Sequence, residues 1–466
     1  MLGLGLLTEL ARNVATRGAT PSGIGLNWGS TVVESVSHKY RLRCCGCGGE
    51  MEEDGYRLLC PACGPTALLE TCYHAGVVPP SRDRHHFYSY QDILPIESQL
   101  EAPGPTIGCL QIAELSRSLG LENLWVLLSC YAPRHGASCL TCTFKEGEAL
   151  GVFSRVMEQT SKALLVASAG NAARAYLEVG ARGNLPGIVV IPARALDKMC
   201  VTQQAGDRAP LLIALEDAYY PDAIDFAGNL QRRFSGDLVR EGGCQNVARR
   251  DAMGIPFHVA VHEIGRIPQH YVQAVGSGTG AIAAWEAAKR LASGEQFRGQ
   301  RVKLQLVQNR PFTPIVEAWC AGESHIAPRR AEELEVELSQ LHAPVLSNAS
   351  PPYAVRGGVY DALRDTSGGA YGVTRQEAIE AGGRIARHVG IDPDPAASVA
   401  VAGLHQAVVA GRVQPDECVL LHITGGGNDQ LARDRKLHWY PASLRIGPSQ
   451  LNECSKVIES YLARVL

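Results

Sequence analysis

An α/β fold, with parallel strands covered by helices, is what this sequence predicts, on three observations. From about residue 105 onward short apolar runs alternate with amphipathic stretches; the most glycine-rich turns stand directly after apolar runs; and a compact cysteine segment precedes them all. At 466 residues the chain exceeds what one core needs, so two or three domains are expected.

The first elements are the cysteines. Cys44-Cys45-Gly46-Cys47 and Cys60-Pro61-Ala62-Cys63 spell C-x2-C-x12-C-x2-C, the spacing of a zinc ribbon spanning residues 36–75. Two short turns each present a thiolate pair that can close a tetrahedral site, and four thiolates leave no open position for a substrate. Cys44, Cys47, Cys60 and Cys63 are therefore candidate ligands of a structural zinc, with a metal-free relic as the alternative; Cys45 is left over. The remaining cysteines are scattered among apolar residues, as free thiols are in a reducing compartment, which points to the cytoplasm.

Next comes Thr141-Cys142-Thr143-Phe144-Lys145, ahead of a helical pattern over 149–159. A lysine at such a position, partly desolvated and close to a bound anion, has a lowered pKa and becomes a Schiff-base nucleophile; an ordinary surface lysine is the plainer reading. The strand pattern 164–167 then leads through Ser168-Ala169-Gly170-Asn171 into a helix over 172–179. Runs at 187–191 and 211–215 precede further helical stretches. At Val275-Gly276-Ser277-Gly278-Thr279-Gly280 a strand opens through glycines into a helix over 281–291. Such a turn lets backbone N–H groups converge on a phosphate at the positive end of a helix. It could equally serve a dinucleotide or be a tight connection, but the strand that follows, 302–307, ends in Gln308-Asn309 rather than the acidic residue a nicotinamide site wants. A third turn, Thr424-Gly425-Gly426-Gly427, follows the apolar run 418–423. In parallel sheets ligands sit at such strand ends.

Composition removes other classes. With 44 basic against 47 acidic residues the net charge is -3, and no basic run interleaved with aromatics surrounds the cysteines, so nucleic acid is not an expected partner. No apolar run approaches the roughly 18 residues of a membrane span, so a soluble protein without membrane partners is expected. Residues 1–20 carry two arginines, one acid and a leucine-rich start. They fit a transit-type leader, a loosely attached helix or an early start codon.

Taken in order, Thr143-Phe144-Lys145, Ser168-Ala169-Gly170-Asn171, the 276–280 turn and Thr424-Gly425-Gly426-Gly427 resemble the pyridoxal-phosphate (PLP) enzymes of the tryptophan-synthase-β fold. The resemblance runs to the threonine synthase branch and, within it, to the cysteate synthase family, on Glu241-Gly242-Gly243, Asn246-Val247-Ala248-Arg249-Arg250-Asp251 and Pro268-Gln269-His270-Tyr271 besides. It covers roughly residues 40–430. It implies two parallel-sheet α/β domains, the larger from 76–148 and 258–466, the smaller from 149–257, after an N-terminal extension (1–35) and the ribbon.

The same resemblance implies that Lys145 carries PLP and acts as the base at Cα, that Asn171 meets the cofactor 3′-oxygen, that Gly276, Ser277, Gly278, Thr279 and Gly280 hold its phosphate, and that Thr424 faces the pyridine nitrogen. Thr143, Ser168, Ala169 and Gly170 would meet the substrate carboxylate. The implied reaction is replacement of the phosphate of O-phospho-L-serine by sulfite, giving L-cysteate, in a dimer or trimer. Since both leaving group and nucleophile are anions, Arg249, Arg250, His270 and Gln273 are candidates near Cβ. Against this, Arg249 and Arg250 can pair with neighbouring carboxylates, and His270 can be a satisfied core histidine. A threonine-synthase-like reaction on another phosphorylated amino acid uses the same Lys145, and a non-catalytic zinc-ribbon binding protein is the reading from another class.

Overall fold

The computed structural model describes residues 39–74, 83–168 and 170–466. The N-terminal extension and Ala169 lie outside the described residues, as do the edges of the ribbon range (36–38 and 75).

Two parallel sheets form. The larger runs, in spatial order, Gly369–Val373, Lys303–Asn309, His270–Ala274, Val419–Ile423, Leu124–Leu128 and Gly108–Leu110, and only the last pairing is antiparallel. Its central strands are buried on both faces, as continuous apolar runs in parallel sheets must be. Alternate residues divide between the faces. Val272, Val307 and Leu421 pack with Val399 and Leu404 of the helix Pro395–Val409. Tyr271, Leu306 and Leu420 join Phe257 of the helix Val247–Ile264 and Ile282 of the helix Thr279–Ser293.

The smaller sheet has the order Leu238–Arg240, Ala163–Ala167, Gly187–Pro192, Leu211–Leu215 and Leu444–Ile446, all parallel. Its last strand departs from the sequence reading, which places 258–466 in the larger domain. Leu444–Ile446 pairs with Leu211–Leu215, and Tyr461 and Leu462 of the helix Leu451–Val465 join Phe226 and Leu230 in that sheet's core. A three-residue strand has too little pattern to reveal its partner.

The ribbon is a three-stranded antiparallel sheet, Glu50–Met51, Tyr40–Cys44 and Leu69–Tyr73. No helix among the described residues is long and apolar enough to cross a membrane.

Three buried histidines give the fold a defined acid sensitivity. Burial pushes His262 down to about 4 and His422 down to about 3, and holds His258 well below the usual histidine range. Both ring nitrogens of His258 are buried without a hydrogen-bond partner among the described residues, so the ring has to stay neutral. The unfolded chain protonates near its ordinary value of 6.5 while the folded chain resists, so stability is complete above about pH 6.5 and falls as pH drops towards 4. Each histidine contributes at most about 1.4 kcal/mol per pH unit in that window. Denaturation midpoints should therefore be lower at pH 5 than at pH 7, and His258→Leu should reduce the difference; equal midpoints would contradict neutral burial.

Candidate active site

One cavity collects the strand ends of both sheets. Ser168, Gly170 and Asn171 reach it from the smaller sheet, residues 276–280 and Thr424 from the larger, and Lys145 from the first position of the helix Lys145–Gln159. The lysine loop is fastened to the late glycine turn. Thr143 bridges Gly425, Phe144 N–H donates to the Thr424 carbonyl (3.1 Å), and Gly426 N–H donates to the Cys142 carbonyl (2.9 Å). These ties cross 280 residues of sequence or more and fix where the lysine starts.

Lys145 Nζ lies 2.7 Å from Glu148 Oε2 and 4.8 Å from the centre of the Phe144 ring. Burial lowers its pKa, while the Glu148 carboxylate opposes that shift. A lysine so placed is closer to a free amine than one in water. Glu148 is fully buried and its other oxygen lies 3.2 Å from Arg249, which in turn is 2.6 Å from Glu241.

The 276–280 turn is built to let a ligand approach its backbone. A side chain at Gly276 would press on the Leu346 backbone at 3.1 Å; Gly278 has φ +77° and a Cβ there would strike Val359 at 2.5 Å. The helix Thr279–Ser293 starts in the turn with its positive end facing the cavity, and the Ser277 and Thr279 hydroxyls lie 2.9 Å apart. A second helix, Asn171–Gly183, opens on the same space. Ser168 Oγ accepts from the N–H groups of Gly170 (3.4 Å) and Ala173 (3.1 Å), and Asn171 Nδ2 donates to Asp394 Oδ2 at 3.4 Å. A reactive amine, an anion cradle and an amide thus converge as an aldehyde cofactor bearing a phosphate requires, and the residues fit PLP.

Among the sequence candidates Lys145, Ser168, Gly170, Asn171, Arg249, Gln273, Gly276, Ser277, Gly278, Thr279, Gly280 and Thr424 line this cavity. Thr143 does not: it is buried in the turn, its hydroxyl 3.4 Å from that of Thr141. Nor do Arg250 and His270. Arg250 is fully committed to Glu286 (3.1 Å) and to the carbonyls of Cys244 and Leu69. His270 sits at the start of its strand, away from the ligand end, between Glu417 (3.0 Å) and Gln305 (2.9 Å). Sequence reasoning missed Glu148, Tyr220, Asp394 and the loop 344–348, all facing or flanking the cavity. The Glu at helical spacing after Lys145 was a readable signal for the first; the others arrive from distant segments.

The thiols of Cys44, Cys47, Cys60 and Cys63 lie within 4.8 Å of one another, a set that fits a structural zinc. Gly46 is required there, since a Cβ would meet Cys63 Sγ at 3.2 Å and Ala67 Cβ at 2.8 Å. Cys45 stands outside the set, facing Gly357.

The family model described as "Pyridoxal-phosphate dependent enzyme" matches residues 100–425. The chain is 40% identical over 440 residues to a protein of Methanoregula boonei named cysteate synthase, covering 91% of this chain and 98% of that one. A cysteate synthase of Methanosphaerula palustris is 42% identical over 416 residues, covering 88% and 95%. Among solved structures, maize serine racemase superposes with a TM-score of 0.54 at 13% identity, over 78% of this chain and 97% of that one. A fungal L-serine ammonia-lyase from Rhizomucor miehei superposes with a TM-score of 0.54 at 12% identity, over 72% and 99%; at such identities the likeness concerns the fold alone.

Proposed function

The chain belongs to the pyridoxal-phosphate-dependent enzymes and, within them, to the cysteate synthase family, and from that premise we propose that it replaces the phosphate of O-phospho-L-serine with sulfite, giving L-cysteate and inorganic phosphate. The observation that carries this reading is the single cavity in which Lys145, the 276–280 turn and Asn171 meet beside the Arg249 guanidinium.

In this reading Lys145 would hold the cofactor, 276–280 with the Ser277 and Thr279 hydroxyls would hold its phosphate, Asn171 its 3′-oxygen and Thr424 its ring nitrogen. When bound, PLP supplies an electron sink for the bond broken at Cα. The chain's own groups do the rest. Lys145 Nζ takes the Cα proton. Ser168 and the Gly170 N–H group orient the substrate carboxylate at the mouth of the helix Asn171–Gly183. Arg249 and Gln273 face the anion that leaves Cβ and the anion that replaces it, where charge-assisted hydrogen bonds are worth most. Placing the reaction in a reducing cytoplasm is supported by the eleven cysteines outside the four-thiol cluster, all of them free thiols.

The test supplies purified holoenzyme with O-phosphoserine plus sulfite in one arm and O-phosphohomoserine plus water in the other. Cysteate and phosphate should appear together in the first arm. Threonine in the second, with none of the sulfonate in the first, would overturn the substrate assignment.

A further inference from the structure

Beside the cofactor lysine stands a carboxylate that the reaction above does not use. Glu148 lies one helical turn after Lys145, at the spacing that puts two side chains on one face. It is fully buried directly behind Lys145 and Arg249, which line a cavity meant for phosphate and sulfite. An acid there repels every anion that enters, so its burial needs a compensating task.

Its contacts indicate the task. One oxygen meets Lys145 Nζ at 2.7 Å and the other faces Arg249 at 3.2 Å. Arg249 comes from the helix Val247–Ile264 and is gripped on its far side by Glu241, which follows the strand Leu238–Arg240, at 2.6 Å. Two cations thus alternate with two acids. The other titratable groups near them are Tyr176 from the helix Asn171–Gly183, whose buried hydroxyl has no hydrogen-bond partner among the described residues, Tyr220 from the helix Tyr220–Arg233, Tyr56, whose hydroxyl donates to the Glu241 carbonyl (3.1 Å), and Cys244; across the cavity stand Asn171 and Asp394.

We propose that Glu148 is a positioning residue which, balanced against Arg249, clamps the Lys145 amine at the cavity wall and sets the pH at which it becomes free to bond. The inference rests on the reading that Lys145 carries PLP. The covalent link forms once the ammonium has released one proton to solvent; Nζ then bonds to the aldehyde carbon and one water leaves. Glu148 holds that proton on, whereas the Arg249 charge drives it off, as the opposite signs of their effects on Lys145 indicate. After the link forms, Glu148 can turn wholly to Arg249 without either charge being left alone.

The two partners therefore predict shifts of opposite sign. Full-length protein stripped of cofactor is mixed with pyridoxal phosphate, and the rate at which the visible band appears is followed against pH, with borohydride reduction and mass spectrometry placing the adduct. Glu148→Gln, which keeps the shape and loses the charge, should move the profile to lower pH by about one unit or more. Glu148→Asp should fall between it and the parent, and Arg249→Met should move the profile upward. An unshifted or upward-shifted Glu148→Gln profile overturns the proposal even if Arg249→Met does not fold. A parent protein that forms no adduct at Lys145 instead overturns the reading on which the proposal rests.

Discussion

Lys145→Ala should leave the purified protein colourless and reduce cysteate formation by at least about 10²–10⁴-fold, the share that a positioned acid–base group alone supplies. Lys145 is the lysine among the residues that line the cavity, and its amine is partly desolvated beside the anion cradle. In the proposed reaction the substitution removes both the attachment point of the cofactor and the group that takes the Cα proton, so adding excess PLP should not restore the rate. Borohydride reduction of the parent should yield a phosphopyridoxyl group on Lys145 and none in the variant. Lys162→Ala is the control: that lysine lies on an exposed stretch, donating to the Ser235 carbonyl at 2.7 Å, and its loss should leave colour and rate intact. A yellow Lys145→Ala protein would place the cofactor elsewhere.

What the sequence made legible is what is local. A strand, a glycine turn and a helix start within ten residues, so the 276–280 cradle and the 168–171 turn could be read before any tertiary contact was known. Cysteine pairs announce a metal site by spacing alone. The anion candidates failed where a tertiary partner decides direction. Arg249 and Arg250 are neighbours on one helix, about 100° apart around its axis, so one reaches the cavity while the other reaches Glu286. His270 and Gln273 are separated by an odd number of residues on one strand and so point to opposite faces. That parity was readable and argues against assigning both to one pocket. Asp394 and the loop 344–348 carry no such mark, because they reach the cavity only through the folding of segments distant in sequence, Asp394 lying 223 residues from Asn171.

The second large effect is on stability rather than chemistry. Arg155→Met should destabilise the protein by about 3–5 kcal/mol, since it strands a buried charge. Arg155 is fully buried beneath the ribbon: it donates to Glu53 (2.6 Å), to the Arg57 carbonyl (2.8 Å) and to Asn246 Oδ1 (2.8 Å), and it stacks 4.8 Å from the Tyr56 ring. Without it Glu53 keeps, among the described residues, the Tyr40 hydroxyl and the Arg57 N–H, neither of which neutralises a carboxylate. Replacing both ends, as in Arg155→Met with Glu53→Leu, should recover much of the loss, because an apolar pair needs no desolvated charge. The effect should also reach the active site. Asn246 caps the helix Val247–Ile264 by accepting from Ala248 N–H, and that helix carries Arg249 three residues further on. Denaturant titrations should therefore show Arg155→Met unfolding earlier, with ribbon thiols reacting before the larger sheet opens; a shift below about 1 kcal/mol, the level of an exposed pair, would mean that the ribbon is tied to the catalytic helices by something other than this charge.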